Sequence, residues 1–171
     1  MSDPRPLLSV SVDSALLLVE SDAKSVAEAA WGWREAGLTV RTARGRKMRT
    51  VQGMFDELAA ALQFPHYFGE NWPAFFECLA DMDWLPMNVG IVLLVLEPGD
   101  VLADSEPPEL GVLVRAIADA HKAYSQPVEA GEWWDRPAVP FHVVLQAALG
   151  EASTATAPWV AAGALIRPFT G

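Results

Sequence analysis

The sequence predicts an α/β fold: a small, mainly parallel β-sheet packed with helices. Two uninterrupted apolar runs, Ala15–Val19 and Val89–Leu96, have the character of strands covered on both faces. Between and after them lie segments whose apolar residues recur at three- and four-residue intervals, the mark of a helix with one buried face. Strand-like and helix-like segments also alternate along the chain, which is the pattern of βαβ units around a parallel sheet. At 171 residues the chain suits one domain with a sizeable core.

Taken in order, Met1 to Pro6 reads as a loose tail. Ala15–Val19 is the first strand, punctuated by Ser21 and Asp22. Val26, Ala29, Ala30 and Trp33 then mark a helix to about Glu35, stopped by Ala36-Gly37. Leu38–Thr42 alternates as a second strand. Thr50 is placed to cap a helix whose buried stripe is Val51, Met54, Phe55, Leu58 and Leu62. Val89–Leu96, without a charge, is the best central strand, and Glu97–Asp100 is a turn. After a polar connector at Asp104–Pro108, Leu110, Leu113, Val114, Ile117 and Ala120 define a helix to about Tyr124. Gln126–Pro140 reads as a long loop holding Trp133 and Trp134, and Phe141–Leu145 as the last strand. Beyond Gly150 the Ala/Thr-rich segment has weak patterning, and only Trp159–Ile166 hints at docking. The expected division is a βα extension over 1–37, a core over 38–150 and a tail over 151–171.

The chain is organised around Phe64–Met82. Pro65 holds Phe64 out of the helical region and ends the preceding helix. Tyr67 and Phe68 lead into Gly69, the residue expected to supply a left-handed turn. Asn71 is a good N-cap, with Pro73 at an early helical position where its missing N–H does little harm. On the helix that follows, Trp72, Phe75, Leu79 and Met82 share one stripe, while Glu70, Pro73, Glu77 and Asp81 share another. The segment therefore packs an apolar face inward and presents a loop with aromatics beside a line of carboxylates.

At Pro65-x-Tyr67-Phe68-Gly69-Glu70-Asn71-Trp72 and Ala74-Phe75-Phe76-Glu77-Cys78-Leu79, after a helix with Phe55, Leu58 and Leu62, the chain resembles the barstar family, the intracellular inhibitors of barnase-type ribonucleases. The likeness is strong over about 38–96, extends to about Gln146, and is absent before Leu38. It implies a barstar-like fold and a partner that is a small basic ribonuclease or nuclease toxin, blocked by an acidic helix and the loop before it. Carried over position by position, the inhibitory surface falls on Tyr67, Phe68, Gly69, Asn71, Pro73, Phe76, Glu77, Asp81 and Met82. Glu77 stands at the family's dominant acidic position, one methylene longer than the usual Asp. Two departures stand out: Pro73 occupies a place where another Asp is common, and Met82 one where a Trp contact is common, although Trp84 follows two residues on.

Composition narrows the function classes. Lys and Arg total 12 against 22 Asp and Glu, a net charge of −10, which argues against a general nucleic-acid or anionic-membrane binder and for a basic partner. Arg41, Arg44, Arg46, Lys47 and Arg49 do cluster, but without interleaved aromatics. A solvated loop pairing with nearby acids is the favoured reading over a nucleic-acid patch. The single Cys78 excludes an internal disulfide and a cysteine-built metal cluster, and with no signal peptide in view the expected compartment is the cytoplasm. His66, His121 and His142 are scattered, so no metal or cofactor is expected. Asp81-x-Asp83 reads as two solvated carboxylates rather than a cation site, and Cys78 as a small apolar residue rather than a nucleophile. With no phosphate loop, nucleophile elbow or dinucleotide fingerprint, no enzyme is expected. Two alternatives remain: a non-inhibitory interaction or regulatory module with another partner, for which Trp133-Trp134 is the candidate contact, and a small-molecule binder at the sheet edge. A loop tryptophan folded back on the core is the commoner outcome for the former.

Overall fold

A computed structural model describes residues 3–10, 14–86 and 89–169. Five strands form one all-parallel sheet: β1 (Leu16–Glu20), β2 (Thr39–Arg44), β3 (Ile91–Leu96), β4 (Phe141–Ala147) and β5 (Ile166–Pro168), in the order β2-β3-β4-β1-β5. Helices α1 (Ala23–Glu35), α2 (Val51–Leu62), α3 (Trp72–Asp81), α4 (Pro107–Tyr124) and α5 (Ala152–Ala161) cover its two faces. The alternation along β3 explains why that strand carries no polar residue. Ile91, Leu93 and Val95 enter a large core with α2 to α5, while Val92 and Leu94 enter a smaller one beneath α1.

Helix limits follow local chemistry. Asp22 caps α1 by accepting from the Lys24 and Ser25 amides, both at 2.9 Å. Its far end closes in a Schellman turn, with Gly37 at φ 91°. Thr50 caps α2 through the Gly53 amide at 3.1 Å. There the same closing turn uses Gln63 at φ 55°: the Phe64 amide donates to the Ala59 carbonyl and the Gln63 amide to Ala60. Phe64 is thereby turned out of the helix and placed before Pro65.

Both ends of the chain are more ordered than the sequence indicates. Met1 and Ser2 lie outside the described residues, but the rest of the expected tail leads into a 3-10 turn at Arg5–Leu8, whose Leu7 is buried under α1. The segment after Gly150, expected as a weakly patterned tail, instead folds as α5 and β5. Trp159 is buried in the large core and its indole N–H donates to the Pro98 carbonyl at 2.9 Å. β5 pairs in parallel with β1, so β1 is an interior strand. α4 starts at Pro107, inside the expected connector, because proline is well suited to a first helical turn.

Gln146 and His142, polar side chains of the wholly buried β4, each make one hydrogen-bonding contact with the opening segment, while His142 Nδ1 has no partner among the described residues. Gln146 donates to the Ser21 carbonyl at 2.6 Å, and His142 Nε2 lies 3.1 Å from the Ser9 carbonyl. Although scattered in sequence, His121 and His142 meet in space, with ring centroids 6.0 Å apart. The basic cluster lies mostly in ion pairs: Arg44 with Glu57 at 2.7 Å, Arg46 with Glu97 at 2.5 Å, and Arg49 with Asp104 at 2.7 Å and with Asp100. Arg41 donates to Gln63 at 2.8 Å. Arg41 and Arg44 tie β2 to α2, and Arg46 and Arg49 tie the β2–α2 connection to the turn after β3, which accounts for their clustering without a nucleic acid.

Candidate functional site

The aromatic residues of the focal segment divide by direction. Phe64, Phe68, Trp72 and Phe75 pack edge-on or tilted around Phe55 of α2 and one another, with centroids 5.1–5.8 Å apart. This cluster fixes the loop and the start of α3 on the core, and Trp72 further donates its indole N–H to Glu109 at 2.8 Å. Trp84 is held likewise, donating to the Leu62 carbonyl at 2.9 Å. Tyr67 points the other way and is 71% exposed, touching only the His66 ring at 5.8 Å among aromatic neighbours.

The left-handed residue of the loop is Glu70, at φ 48°, and not Gly69 as expected. Gly69 matters by proximity instead: a Cβ there would lie 2.9 Å from Asn71 Nδ2 and would push that side chain aside. That nitrogen donates to the Gly69 carbonyl at 3.0 Å, while Asn71 Oδ1 accepts from the Ala74 amide at 3.0 Å. One side chain therefore shapes the loop and caps the helix. Gln52 holds Glu70 in its left-handed position by donating to its carboxylate at 2.8 Å. Pro73 sits in the first turn of α3, exposed.

Further along α3, Glu77 and Asp81 are exposed one turn apart, and Phe76 is half-buried with the Arg115 guanidinium of α4 6.0 Å from its ring. The ion pairs among the described residues use Arg5, Lys24, Arg44, Arg46 and Arg49, and none engages Glu77, Asp81 or Asp83. Partial burial and the neighbouring Asp83 raise the Asp81 pKa, against the pull of Arg136. Cys78, turned into the protein beneath these acids, has its thiol pKa pushed up by burial and then by Asp81 and Glu77. It is therefore poorly suited to act as a thiolate.

Met82 cannot be a partner contact. It is 0% exposed in the large core, so of its two expected positions only the one on the buried stripe holds. Its backbone, at φ 33°, ends α3, and this turn drives the side chain inward. Phe68 is half-buried in the aromatic cluster, which leaves part of its ring for a partner. Tyr67, Gly69, Asn71, Pro73, Phe76, Glu77 and Asp81 each retain exposed or half-exposed surface.

Trp133 and Trp134 do not fold back onto the core. They are 86% and 51% exposed, packed edge-on at 5.4 Å, and line a cleft with Asp81, Asp83 and Pro86. Sequence spacing carries no trace of this neighbourhood, because some fifty positions separate the loop from the end of α3. Among the described residues, no group of three or more His, Cys, Asp or Glu is arranged to hold a metal ion, and no helix is long and apolar enough to cross a membrane.

No curated protein matches the chain. Two solved structures, of Drosophila ORC bound to AT-rich DNA and Cdc6 and of Drosophila ORC bound to GC-rich DNA and Cdc6, are similar to it at 13% identity, with TM-scores of 0.47 and 0.46. The similarity covers 98% of this chain but only 53% and 55% of those chains, so this chain spans about half their length. Likeness at that level carries no indication of what this chain binds. The model of the family described as Barstar (barnase inhibitor) matches residues 38–146, a stretch running from the start of β2 almost to the end of β4 with Phe64–Met82 inside it. The chain belongs to the Barstar (barnase inhibitor) family.

Proposed function

We propose that this protein is a non-enzymatic inhibitor that caps the basic active-site cleft of a small ribonuclease with α3 and the loop before it, in a reducing cytoplasmic compartment. The observation that carries this reading is Glu77. It is an exposed carboxylate outside the ion pairs described above, on a helix fixed by the Phe55 aromatic cluster and the Asn71 cap. A carboxylate held in that way enters a phosphate-binding cleft at little entropic cost and relieves repulsion among the enzyme's own cations. Tyr67 and the remaining part of Phe68 supply apolar contact beside it, Gly69 lets the partner approach the backbone, and Asp81 adds charge one turn on. The net charge of −10 steers a cationic enzyme toward this face.

The test is inhibition of a panel of small basic ribonucleases, including any encoded beside this gene, by the purified protein. Inhibition of at least one is expected, weakened at least about 30-fold by Glu77→Ala, the change that removal of a central hot spot brings. No inhibition across the panel overturns the proposal. Unchanged capture by Glu77→Ala together with loss by Trp133→Ala would move the site elsewhere. Pro73, which removes a carboxylate from the exposed stripe, favours the second reading, a non-inhibitory module of the same fold with a different protein partner.

A further inference from the structure

The loop after α4 is organised to hold two tryptophans in water. Val128 and Arg136 exchange backbone hydrogen bonds at 2.8 and 3.0 Å, closing the loop at its base. Within it, the Asp135 carboxylate accepts from the Ala130 amide at 2.8 Å and the Gly131 amide at 2.9 Å, and Gly131 adopts φ 80°. Arg136 braces the base, lying 4.9 Å from the Tyr124 ring centroid and donating to the carbonyls of Ala123, Gln126 and Pro137. Trp133 and Trp134 sit at the tip of this braced loop, so their exposure is built in by the backbone. Large rigid aromatics presented in this way are the side chains that most often anchor protein contacts.

What faces them decides the partner's chemistry. Asp81 and Asp83 line the same cleft, and Glu129 and Glu132 are exposed on the loop itself. The one cation lining the cleft among the described residues, Arg136, is engaged by the three carbonyls and the tyrosine face. An indole pair beside two carboxylates suits a basic side chain, whose stem lies on the rings while its head reaches the acids.

We propose that this cleft is a second contact site that takes a lysine or arginine side chain of the protein partner, stem against Trp133 and Trp134 and head on Asp81 and Asp83. The proposal rests on the inhibitor reading for the identity of that partner. Asp81 also belongs to the exposed stripe of α3, so the cleft continues the Glu77 face and widens the footprint of one partner.

The full-length protein is titrated with a probe peptide, acetyl-Gly-Lys-Gly-Lys-Gly-amide, while the indole N–H resonances are followed by NMR. A matched peptide carrying Nε-acetyl-lysine is the control. The Trp133 and Trp134 resonances, assigned with Trp133→Phe and Trp134→Phe, are expected to shift saturably. Affinity should fall about tenfold for the acetylated peptide, which loses both the cation–π contact and the ion pair, and about threefold for Asp81→Asn/Asp83→Asn, which loses only the surface ion pairs. Equal binding of both peptides, or peptide affinity by calorimetry that survives Trp133→Ala/Trp134→Ala, overturns the proposal. So do indole shifts that follow protein concentration alone, which would assign the tryptophans to a second copy of the chain. Because the peptide assay contains no ribonuclease, peptide binding without inhibition sinks the inhibitor reading alone, and inhibition without peptide binding sinks the cleft alone.

Discussion

Trp159→Ala tests whether the last twenty residues belong to the domain. Trp159 is 1% exposed, seated among the large-core residues, with its indole N–H on the Pro98 carbonyl at 2.9 Å. A buried tryptophan covers roughly 150–250 Å², worth about 4–6 kcal/mol at about 25 cal/mol per Å². Since part of that surface is already covered in the unfolded chain, a loss of about 3–5 kcal/mol is expected, as for other core truncations of this size. The abandoned Pro98 carbonyl adds about 1 kcal/mol at most, because the space left beside it admits water. For a chain of this length, at about 2–4 °C per kcal/mol, that is a fall of roughly 6–20 °C in Tm. Urea unfolding is the assay, with the midpoint shifting and the slope retained. Trp159→Phe, which keeps most of the ring but loses the hydrogen bond, should lie near one third of the alanine effect. A loss below about 1 kcal/mol for the alanine variant would refute the reasoning, since α5 and β5 would then be resting on the sheet rather than closing it.

Four further substitutions probe the backbone and one buried ring. Gly45→Ala is expected to destabilise by about 3 kcal/mol or more in urea unfolding, because its Cβ would lie 1.9 Å from the Glu97 carbonyl oxygen and one of two chain segments must shift. Gln63→Gly, at φ 55°, should stabilise by at most about 0.5 kcal/mol, since backbone relief of about 1 kcal/mol is set against the lost exposed hydrogen bond from Arg41. Met82→Gly, at φ 33° but with a fully buried side chain, should instead lose about 2–4 kcal/mol, and opposite signs from these two left-handed residues is the check. Burial lowers the His142 pKa below its ordinary 6.5, with the Ser9 carbonyl opposing and His121 reinforcing. The unfolded chain therefore binds more protons than the folded one below pH 6.5, so this group's stabilisation is complete above that pH and is lost as pH falls toward the folded pKa. Urea midpoints between pH 5.5 and 7.5 should rise with pH in the native protein and rise less in His142→Gln.

Most of the fold is legible in the sequence because its signals are local and redundant. β3 shows as a run without charge, α2 and α4 show by their apolar spacing, and Asp22, Thr50 and Asn71 mark helix starts. What escaped depends on contacts between distant segments. β5 is three residues long and is a strand only because β1 offers it an edge. α5 has apolar residues all round and a proline inside, so no stripe announces it. At the site, the Asn71 cap and the outward stripe with Glu77 are readable from spacing, whereas the inward turn of Met82 is set by a left-handed residue that only the packing explains. The direction of Trp133 and Trp134 is fixed by Asp135 reaching back to two amides, a choice of loop geometry with no periodic signature.

Because β1 lies between β4 and β5, residues 38–146 do not make a fragment that can be lifted out of the protein. Cutting there would strip one whole side of β4, seven residues that are all buried, and turn a central strand into a long, uncharged rim of open amides and carbonyls. Such a rim recruits other chains, so a shortened version would clump before α3 and the loop ahead of it could be assayed. The same placement obliges the first strand to wait during synthesis until β4 has emerged, since each of its residues from Leu16 to Glu20 is matched with one between Val143 and Ala147.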